Sequence, residues 1–195
     1  KMAHNTVSNK VFEIKSLFTW AVSRGFFEYN PFVKVLLPKK AKKIKRIPWD
    51  NNHILTFLNF PKIEFNDIAA TAIALYTGMR LEEICNLKFD DIYEDAFHIH
   101  EGKTESAART VPIHSILTNL LTQCESKSKD GYVITGLNPG GYDQKRSWNF
   151  QKRLGRLRKK AGLPGTVVFH SLSNTFATRM ENLGVPRNHI SQLMG

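Results

Sequence analysis

Three residues in this sequence could act on a phosphate group. Arg80 follows the helix-ending Gly78 and opens a predicted helix over 80–87, so its guanidinium projects from a rigid junction. A guanidinium donates two parallel hydrogen bonds, which matches two phosphate oxygens. Lys103 lies at the tip of a predicted hairpin, and His170 stands at the start of another predicted helix. Donors and cations of these types indicate chemistry on an anion.

Each of these residues also has a simpler interpretation. Arg80 could be a helix-end arginine that pairs with Glu83. The stretch around Arg80, taken alone, favours neither this pairing nor phosphate binding. A hairpin lysine such as Lys103 is more often a solvated charge. A histidine at a helix start, such as His170, is more often a cap or a surface residue. Only the order and spacing of the motifs can therefore decide between chemistry and simple structure.

Four motifs in order resemble the tyrosine recombinase family. They are Thr-Gly-x-Arg-x-x-Glu at 77–83, a lysine hairpin that closes on Arg-Thr-Val-Pro-Ile at 109–113, His-x-Leu-x-x-Thr-Phe-Ala-Thr at 170–178, and Leu-Met-Gly at 193–195. Residues 20–31 are similar to the end of that family's core-binding domain. The resemblance covers essentially the whole chain. It implies an α+β, mainly helical protein: the tyrosine recombinase catalytic fold with a small antiparallel sheet, preceded by the last helix or helices of an all-α core-binding domain.

The resemblance also implies a reaction, site-specific DNA recombination such as the integration or excision of phage or mobile DNA. In the family a tyrosine attacks a phosphodiester, forms a 3′-phosphotyrosyl link and frees a 5′-hydroxyl without a metal or cofactor. Carried over by position, Arg80 is the first arginine, Lys103 the general acid, His170 the histidine and Glu83 the support of Arg80. The implied partners are duplex DNA and further copies of the chain, which form a tetramer in the family.

Two departures from the family pattern concern catalysis. The family's second arginine falls three residues after the histidine, where this chain has Ser173. Loss of one preorganised donor costs roughly a hundred- to a thousandfold in rate. The nucleophilic tyrosine follows the Leu-Met-Gly motif in the family, and this sequence ends at Gly195, so the chain as written is expected to be inactive. Ser173 is either an introduced substitution or natural, and a natural serine favours the alternative of a catalytically dead DNA-binding protein derived from a recombinase.

The charge balance favours a polyanionic partner. Lys and Arg outnumber Asp and Glu by 28 to 17, which gives a formal net charge of +11. Six of the eight residues at 39–46 are cations, and a second basic cluster lies on a predicted helix over 146–161. A solvated charge run is the simpler interpretation of the first cluster. The cations expected to contact DNA are Lys39, Lys40, Lys42, Lys43, Lys45, Arg46, Lys145, Arg146, Lys152, Arg153 and Arg156.

Hydrophobic periodicity and turn residues predict the elements that must position these side chains. The basic run marks a domain boundary, and the family resemblance implies the domains 1–38, the end of a core-binding domain; 39–47, a basic linker; and 48–195, a catalytic domain that is incomplete at its C-terminus. Asp50 is a predicted helix N-cap, and 127–143 is a predicted loop. Helices are predicted over 6–24, 51–59, 67–76, 80–87, 115–125, 146–161, 171–182 and 186–193, and strands over 96–100 and 109–113.

Several other classes of protein fit the sequence poorly. No stretch has the roughly 20 apolar residues of a membrane span, and the N-terminus lacks the apolar run of a signal peptide. Cys85 and Cys124 have no metal-ligand spacing, and a core of this size needs no disulfide, so a reducing cytosol is expected, which the family resemblance places in a bacterial host. A metal site at His98, His100 and His114 is conceivable, but alternation along a half-exposed strand accounts for these histidines more simply. An unrelated nucleic-acid-binding fold would show an aromatic platform motif, and none is found.

Overall fold

The computed structural model describes residues 4–37, 45–100 and 108–195. Lys103 and the linker residues Lys39, Lys40, Lys42 and Lys43 lie outside these ranges. The chain divides into two compact units, residues 1–44 and 45–195.

The first unit is built on one long helix, α1 (His4–Ser23). Two residues after the helix, the chain turns at Gly25, whose positive φ of 77° suits a residue without a side chain. The chain then turns back, and the ring of Phe18 contacts the rings of Phe27 and Phe32 at centroid distances of 5.2 and 4.9 Å. The Asn30 amide donates to the Lys15 carbonyl at 2.9 Å, so the predicted turn at this asparagine is fastened to α1.

The second unit is mainly helical, as the sequence predicts, and its helices begin and end within a few residues of the predicted positions. Asp50 caps the first of them, because its carboxylate accepts the backbone N–H of His53 at 2.7 Å. In the part of the chain that the structure describes, no helix is long and apolar enough to cross a membrane. The helices are α2 (Asn51–Leu58), α3 (Phe65–Thr77), α4 (Leu81–Asn86), α5 (Thr118–Lys127), α6 (Ser147–Lys160), α7 (Ser171–Asn182) and α8 (Arg187–Met194).

A small antiparallel sheet contains β1 (Ile92–Tyr93), β2 (Ala96–Ile99) and β3 (Arg109–Pro112) in that order. Phe97 of β2 pairs with Val111 of β3, and both side chains are buried. The sequence predicts β2 and β3 but not β1, because a two-residue strand is too short to show alternation. A turn with positive φ at its two central residues, a geometry that favours hairpins, joins β1 to β2.

The core of the second unit surrounds α3, which is buried on nearly all sides. Its small residues, such as Ala69, Ala70 and Ala74, let neighbouring helices approach closely, while Ile73 fills the space between them. Helix α7 packs against α3 and buries Leu172 completely. The start of α7, where His170 lies, is therefore held against the buried helix α3.

The junction between α3 and α4 depends on Gly78. Its φ is 69°, and a Cβ atom there would lie 2.6 Å from a ring carbon of Phe176 and 3.0 Å from the Cγ of Met194. Only glycine permits both the conformation and the contact. This junction thus brings the end of α3 against α7 and α8, two residues before Arg80.

The chain segment that leads into α2 is fastened to α7 and to the region before it. The backbone N–H of Trp49 donates to the Thr175 hydroxyl at 2.7 Å, and its indole N–H donates to the Val168 carbonyl at 2.8 Å. The backbone N–H of Ile47 donates to the Thr166 carbonyl at 3.1 Å. These bonds fix the neighbouring cation Arg46 close to the loop that ends at His170.

Candidate functional site

Arg80 is held in place by Glu83. The backbone N–H of Arg80 donates to one carboxylate oxygen of Glu83 at 2.8 Å, and its guanidinium donates to the other at 2.9 Å. The guanidinium also donates to the carbonyl of Gly195. About half of the Arg80 side chain, 49%, stays exposed. This arginine is therefore both oriented and accessible.

Arg109 is a second arginine on the same carboxylate, and the sequence motifs do not single it out. Its guanidinium donates to the two oxygens of Glu83 at 2.7 and 3.1 Å and to the carbonyl of Leu193 at 2.8 Å. Only 6% of its side chain is exposed. The one available signal is its place as the first residue of the Arg-Thr-Val-Pro-Ile motif. Arg109 links β3, α4 and the end of α8.

Glu83 stays ionised between the two arginines. Burial by itself would raise the pKa of Glu83, but the hydrogen bonds from Arg109 and Arg80 outweigh burial and hold that pKa below its usual range. One carboxylate facing two guanidiniums leaves an excess of positive charge. The exposed part of that excess is on Arg80, where an anion can reach it.

His170 and Ser173 lie at the start of α7. His170 is exposed. The Ser173 side chain is almost enclosed, with 8% exposed, and its hydroxyl donates to the His170 carbonyl at 2.7 Å. The single hydrogen that a serine can donate is thus already used within the helix turn. Position 173 offers no donor to a bound phosphate in this arrangement.

A cleft of about 600 Å³ opens beside His170. Its cations come from two places, the segment before Trp49 and one face of α6. Lys152, Arg156 and Lys159 share one face of α6, because residues three or four apart lie about one helical turn from each other. The apolar wall of the cleft includes Trp49, Phe57 and Leu154. The charged and titratable residues that line it are Arg46, Lys152, Arg156, Arg158, Lys159 and His170.

Arg146, a predicted DNA contact of the second basic cluster, has its partners inside the protein. Its guanidinium donates to the carbonyls of Cys85 at 2.9 Å and Ile134 at 3.1 Å, and it lies 3.5 Å from the ring centroid of Tyr132. The side chain is only 13% exposed. These bonds fasten the predicted loop over 127–143, and a DNA contact by Arg146 would have to compete with them.

Arg153 and Arg158 also have partners within the protein. Arg153 donates to both carboxylate oxygens of the buried Asp67, at 3.0 and 2.8 Å, and contacts Glu64. Arg158 is nearly buried and donates to the carbonyls of Leu163 and Pro164 at 3.1 and 2.6 Å. A DNA contact by Arg153 would have to compete with two carboxylates, which weakens that expectation.

Two further predicted DNA contacts, Lys45 and Lys145, are exposed. The Lys145 ammonium lies 3.1 Å from the carboxylate of Asp143, and both side chains are open to solvent. Exposed pairs of this kind contribute little and exchange readily. Both lysines therefore remain available to a polyanion.

The three histidines of the conceivable metal site each contact a different neighbour. His98 stacks on Tyr93 with ring centroids 3.5 Å apart, and His100 lies 3.5 Å from Asp91. His114 accepts the backbone N–H of Ile116 at 3.1 Å. Within the described ranges, no group of three or more His, Cys, Asp or Glu residues could hold a metal ion.

Comparison with known proteins leads to one family. The family model described as the phage integrase family matches residues 49–195. The chain belongs to the phage integrase family. A relative, the tyrosine recombinase XerC of Xylella fastidiosa (strain M23), is 25% identical over 198 residues, which cover 100% of this chain and 67% of that protein. The family consists of tyrosine recombinases, enzymes of site-specific DNA recombination.

Solved structures give the same fold. The integrase of transposon Tn1549, in complex with a circular intermediate DNA, superposes with a TM-score of 0.77 at 22% identity and covers 99% of this chain and 72% of that one. A lambda integrase tetramer bound to a Holliday junction matches with a TM-score of 0.71 at 19% identity, over 94% of this chain and 56% of that one. The predicted fold class is confirmed.

Proposed function

We propose that this integrase-family chain binds duplex DNA along the cleft beside His170 and places a phosphodiester within reach of Arg80 and His170. The observation that carries the proposal is the cleft itself, where Arg46, Lys152 and Arg156 converge from two elements. Such cations hold phosphates and carry little sequence information. Four lysines of the linker would extend the same contact along the sugar–phosphate backbone of the DNA. They precede Arg46 in sequence and are Lys39, Lys40, Lys42 and Lys43.

The chemistry follows the family resemblance. A tyrosine hydroxyl gives up its proton to solvent as its oxygen attacks phosphorus, the 3′-phosphotyrosyl bond forms, and the bond to the 5′-oxygen breaks. Arg80 would donate two hydrogen bonds to the non-bridging oxygens, and His170 would donate a third as charge builds on the phosphorane. Lys103 would give its proton to the departing 5′-oxygen, which leaves as a hydroxyl. Glu83 acts through Arg80, whose orientation it fixes.

Ser173 sets the expected level of activity. An arginine at this position would add a charged, two-pronged donor, whereas the serine hydroxyl is engaged with the His170 carbonyl. We therefore propose that the chain binds DNA but cleaves it slowly or not at all. The same hydrogen bond favours a second candidate function, that of a DNA-binding protein derived from a recombinase which no longer cuts.

DNA binding can be tested on the chain as it stands. The affinity for a short duplex should fall steeply with salt, by roughly 10³–10⁵ between 50 and 200 mM if six to ten phosphates are contacted. Lys152→Ala and Arg156→Ala should each make the slope of log affinity against log salt shallower by about 0.9. Lys129→Ala, an exposed lysine that does not line the cleft, is the matched control. Salt-independent binding would overturn the proposal.

Cleavage needs a version of the protein that continues through the family's tyrosine. With a nicked suicide duplex, Ser173→Arg should give a covalent protein–DNA adduct, while Ser173→Lys, which restores charge without the fork, should give much less. Arg80→Ala in the Ser173→Arg background should abolish the adduct. If Ser173→Arg binds the duplex normally and yields no adduct, position 173 is not that of the second arginine, and the second candidate function is favoured.

Assembly and location complete the proposal. We infer that copies of the chain assemble on DNA as a tetramer, supported by the lambda integrase tetramer seen on a Holliday junction. The reaction would take place on DNA in the cytoplasm of a bacterial host. Sedimentation of the chain with a synthetic four-way junction tests the assembly, since a complex smaller than four chains per junction would contradict it.

A further inference from the structure

A tight turn with an exposed aromatic tip precedes α6. Gly140 and Lys145 pair across it through two backbone hydrogen bonds, of 3.1 and 2.9 Å. The Gln144 side-chain amide closes the turn further by donating to the Gly141 carbonyl at 3.0 Å. Tyr142, at the tip, is fully exposed. The backbone of the turn is thus well defined, while its one aromatic side chain is open to solvent.

Trp148 of α6 fastens this turn to the helix. A Cβ atom on Gly140 would lie 2.7 Å from the indole Cδ1, and one on Gly141 would lie 2.8 Å from the indole Cδ2. A side chain at either position would therefore displace the indole, and Gly141 also has a positive φ of 77°. The ammonium of Lys152 lies 4.2 Å from the centroid of the same indole, a cation–π distance. The turn, Trp148 and Lys152 form one connected unit.

That unit continues into the basic face of α6. Trp148, Lys152, Arg156 and Lys159 follow one another at helical spacing, so they share a face. The three cations of this face line the cleft beside His170. Tyr142 consequently stands at the N-terminal end of a row of positive charges.

We propose that Tyr142 is a DNA-contacting finger, whose ring packs against the deoxyribose or base edges of the duplex held by the basic face of α6. The inference rests on the proposed function, because the cations supply the attraction. A tyrosine offers a large amphipathic surface with few rotatable bonds, so little conformational entropy is lost on contact. The clamped backbone lowers that loss further. The contact is uncharged, and this property separates it from the phosphate contacts.

The test is a binding isotherm repeated over a series of salt concentrations. Tyr142→Ala should weaken duplex binding about tenfold, which corresponds to about 1.4 kcal/mol, and leave the salt slope unchanged because no charge is lost. Tyr142→Phe keeps the ring and should bind like the wild type. Trp148→Ala releases the turn and should weaken binding at an unchanged slope. Tyr93→Ala, which removes a half-exposed tyrosine of β1, is the matched control.

The outcomes separate the two proposals. If Tyr142→Ala binds as tightly as the wild type, or if Tyr142→Phe loses as much affinity as Tyr142→Ala, the ring is not the contact and the finger is overturned. The salt-dependent binding of the wild type would survive that result. If the wild type itself shows no salt-dependent binding, the proposed function fails instead.

Discussion

Arg109 and Glu83 face each other across two hydrogen bonds of 2.7 and 3.1 Å, inside the second unit. Glu83 also orients Arg80, and Arg109 also binds the Leu193 carbonyl, so the exposed arginine is connected to the end of α8 through this carboxylate as well as through its own bond to the Gly195 carbonyl. A change at the end of α8 can therefore alter the orientation of Arg80 without any direct contact with the cleft.

Removing Arg109 should destabilise the fold. Arg109→Leu leaves the enclosed Glu83 carboxylate with Arg80 as its remaining cation, and breaking one partner of a buried pair costs about 3 kcal/mol. Urea unfolding followed by circular dichroism measures the loss. Arg187→Leu is the control, since Arg187 pairs with Glu181 at 2.8 Å but is 87% exposed and should cost less than about 1 kcal/mol. Equal losses for the two variants would contradict a structural role for the buried pair.

The stability contributed by Glu83 should depend on pH. Its pKa is lowered in the folded protein, so its contribution is fully present above the ordinary value of 4.5 and is lost as the pH falls through the lowered value. Glu83→Gln should therefore be clearly less stable than the wild type at pH 7, and the difference should shrink in acid. Unfolding midpoints from pH 7 down to pH 3 provide the measurement. A difference that stays constant over that range would rule out an ionised Glu83 as the cause.

Gly78→Ala should be more harmful than the same change at Gly162. Both glycines have a positive φ, of 69° and 77°, so both variants suffer backbone strain of about 1 kcal/mol. At Gly78 the new methyl also meets the Phe176 ring at 2.6 Å, whereas nothing lies within 4 Å at Gly162. Thermal unfolding should therefore show that Gly78→Ala lowers the free energy of unfolding by about 1–3 kcal/mol more than Gly162→Ala does. Similar losses would mean that Phe176 moves aside freely.

Periodicity and capping residues predict most of the fold. The helices are long enough for a 3.6-residue pattern to show, and Asp50 and Gly78 mark helix ends through strong local preferences. The two-residue β1 has no such pattern, because its pairing with β2 is fixed by the turn and the sheet. The sequence thus predicts the elements that local residue preferences determine, whereas β1 forms only because β2 lies beside it.

The site is less predictable, because a run of charges in the sequence does not show which groups each charged side chain will contact after folding. Arg146 belongs to a basic run in sequence, yet its partners are the carbonyls of Cys85 and Ile134, brought near by folding. Arg109 looks like an ordinary strand residue until Glu83 is placed beside it. Arg80 and Glu83, the residue before α4 and the third residue of that helix, are the part of the arrangement that spacing alone can indicate.

Loss of the hydrogen bond between Trp49 and Thr175 should lower both stability and DNA affinity. The Thr175 hydroxyl accepts the backbone N–H of Trp49 at 2.7 Å in a buried setting. Thr175→Val keeps the shape but leaves that N–H without a partner, which costs about 1–3 kcal/mol. Because this bond fixes the segment that carries Arg46 next to the cleft, duplex affinity should fall as well. Denaturant unfolding and a DNA-binding isotherm report the two effects separately.

Thr122→Val serves as the control for that change. Its hydroxyl makes only an exposed bond to the Thr118 carbonyl at 3.2 Å within α5, so stability and DNA affinity should both stay close to the wild type. If Thr175→Val lowers stability but leaves DNA affinity untouched, the segment before Trp49 does not take part in holding DNA. If Thr175→Val and Thr122→Val have the same stability and DNA affinity, the buried bond to Trp49 contributes no more than an exposed bond within a helix.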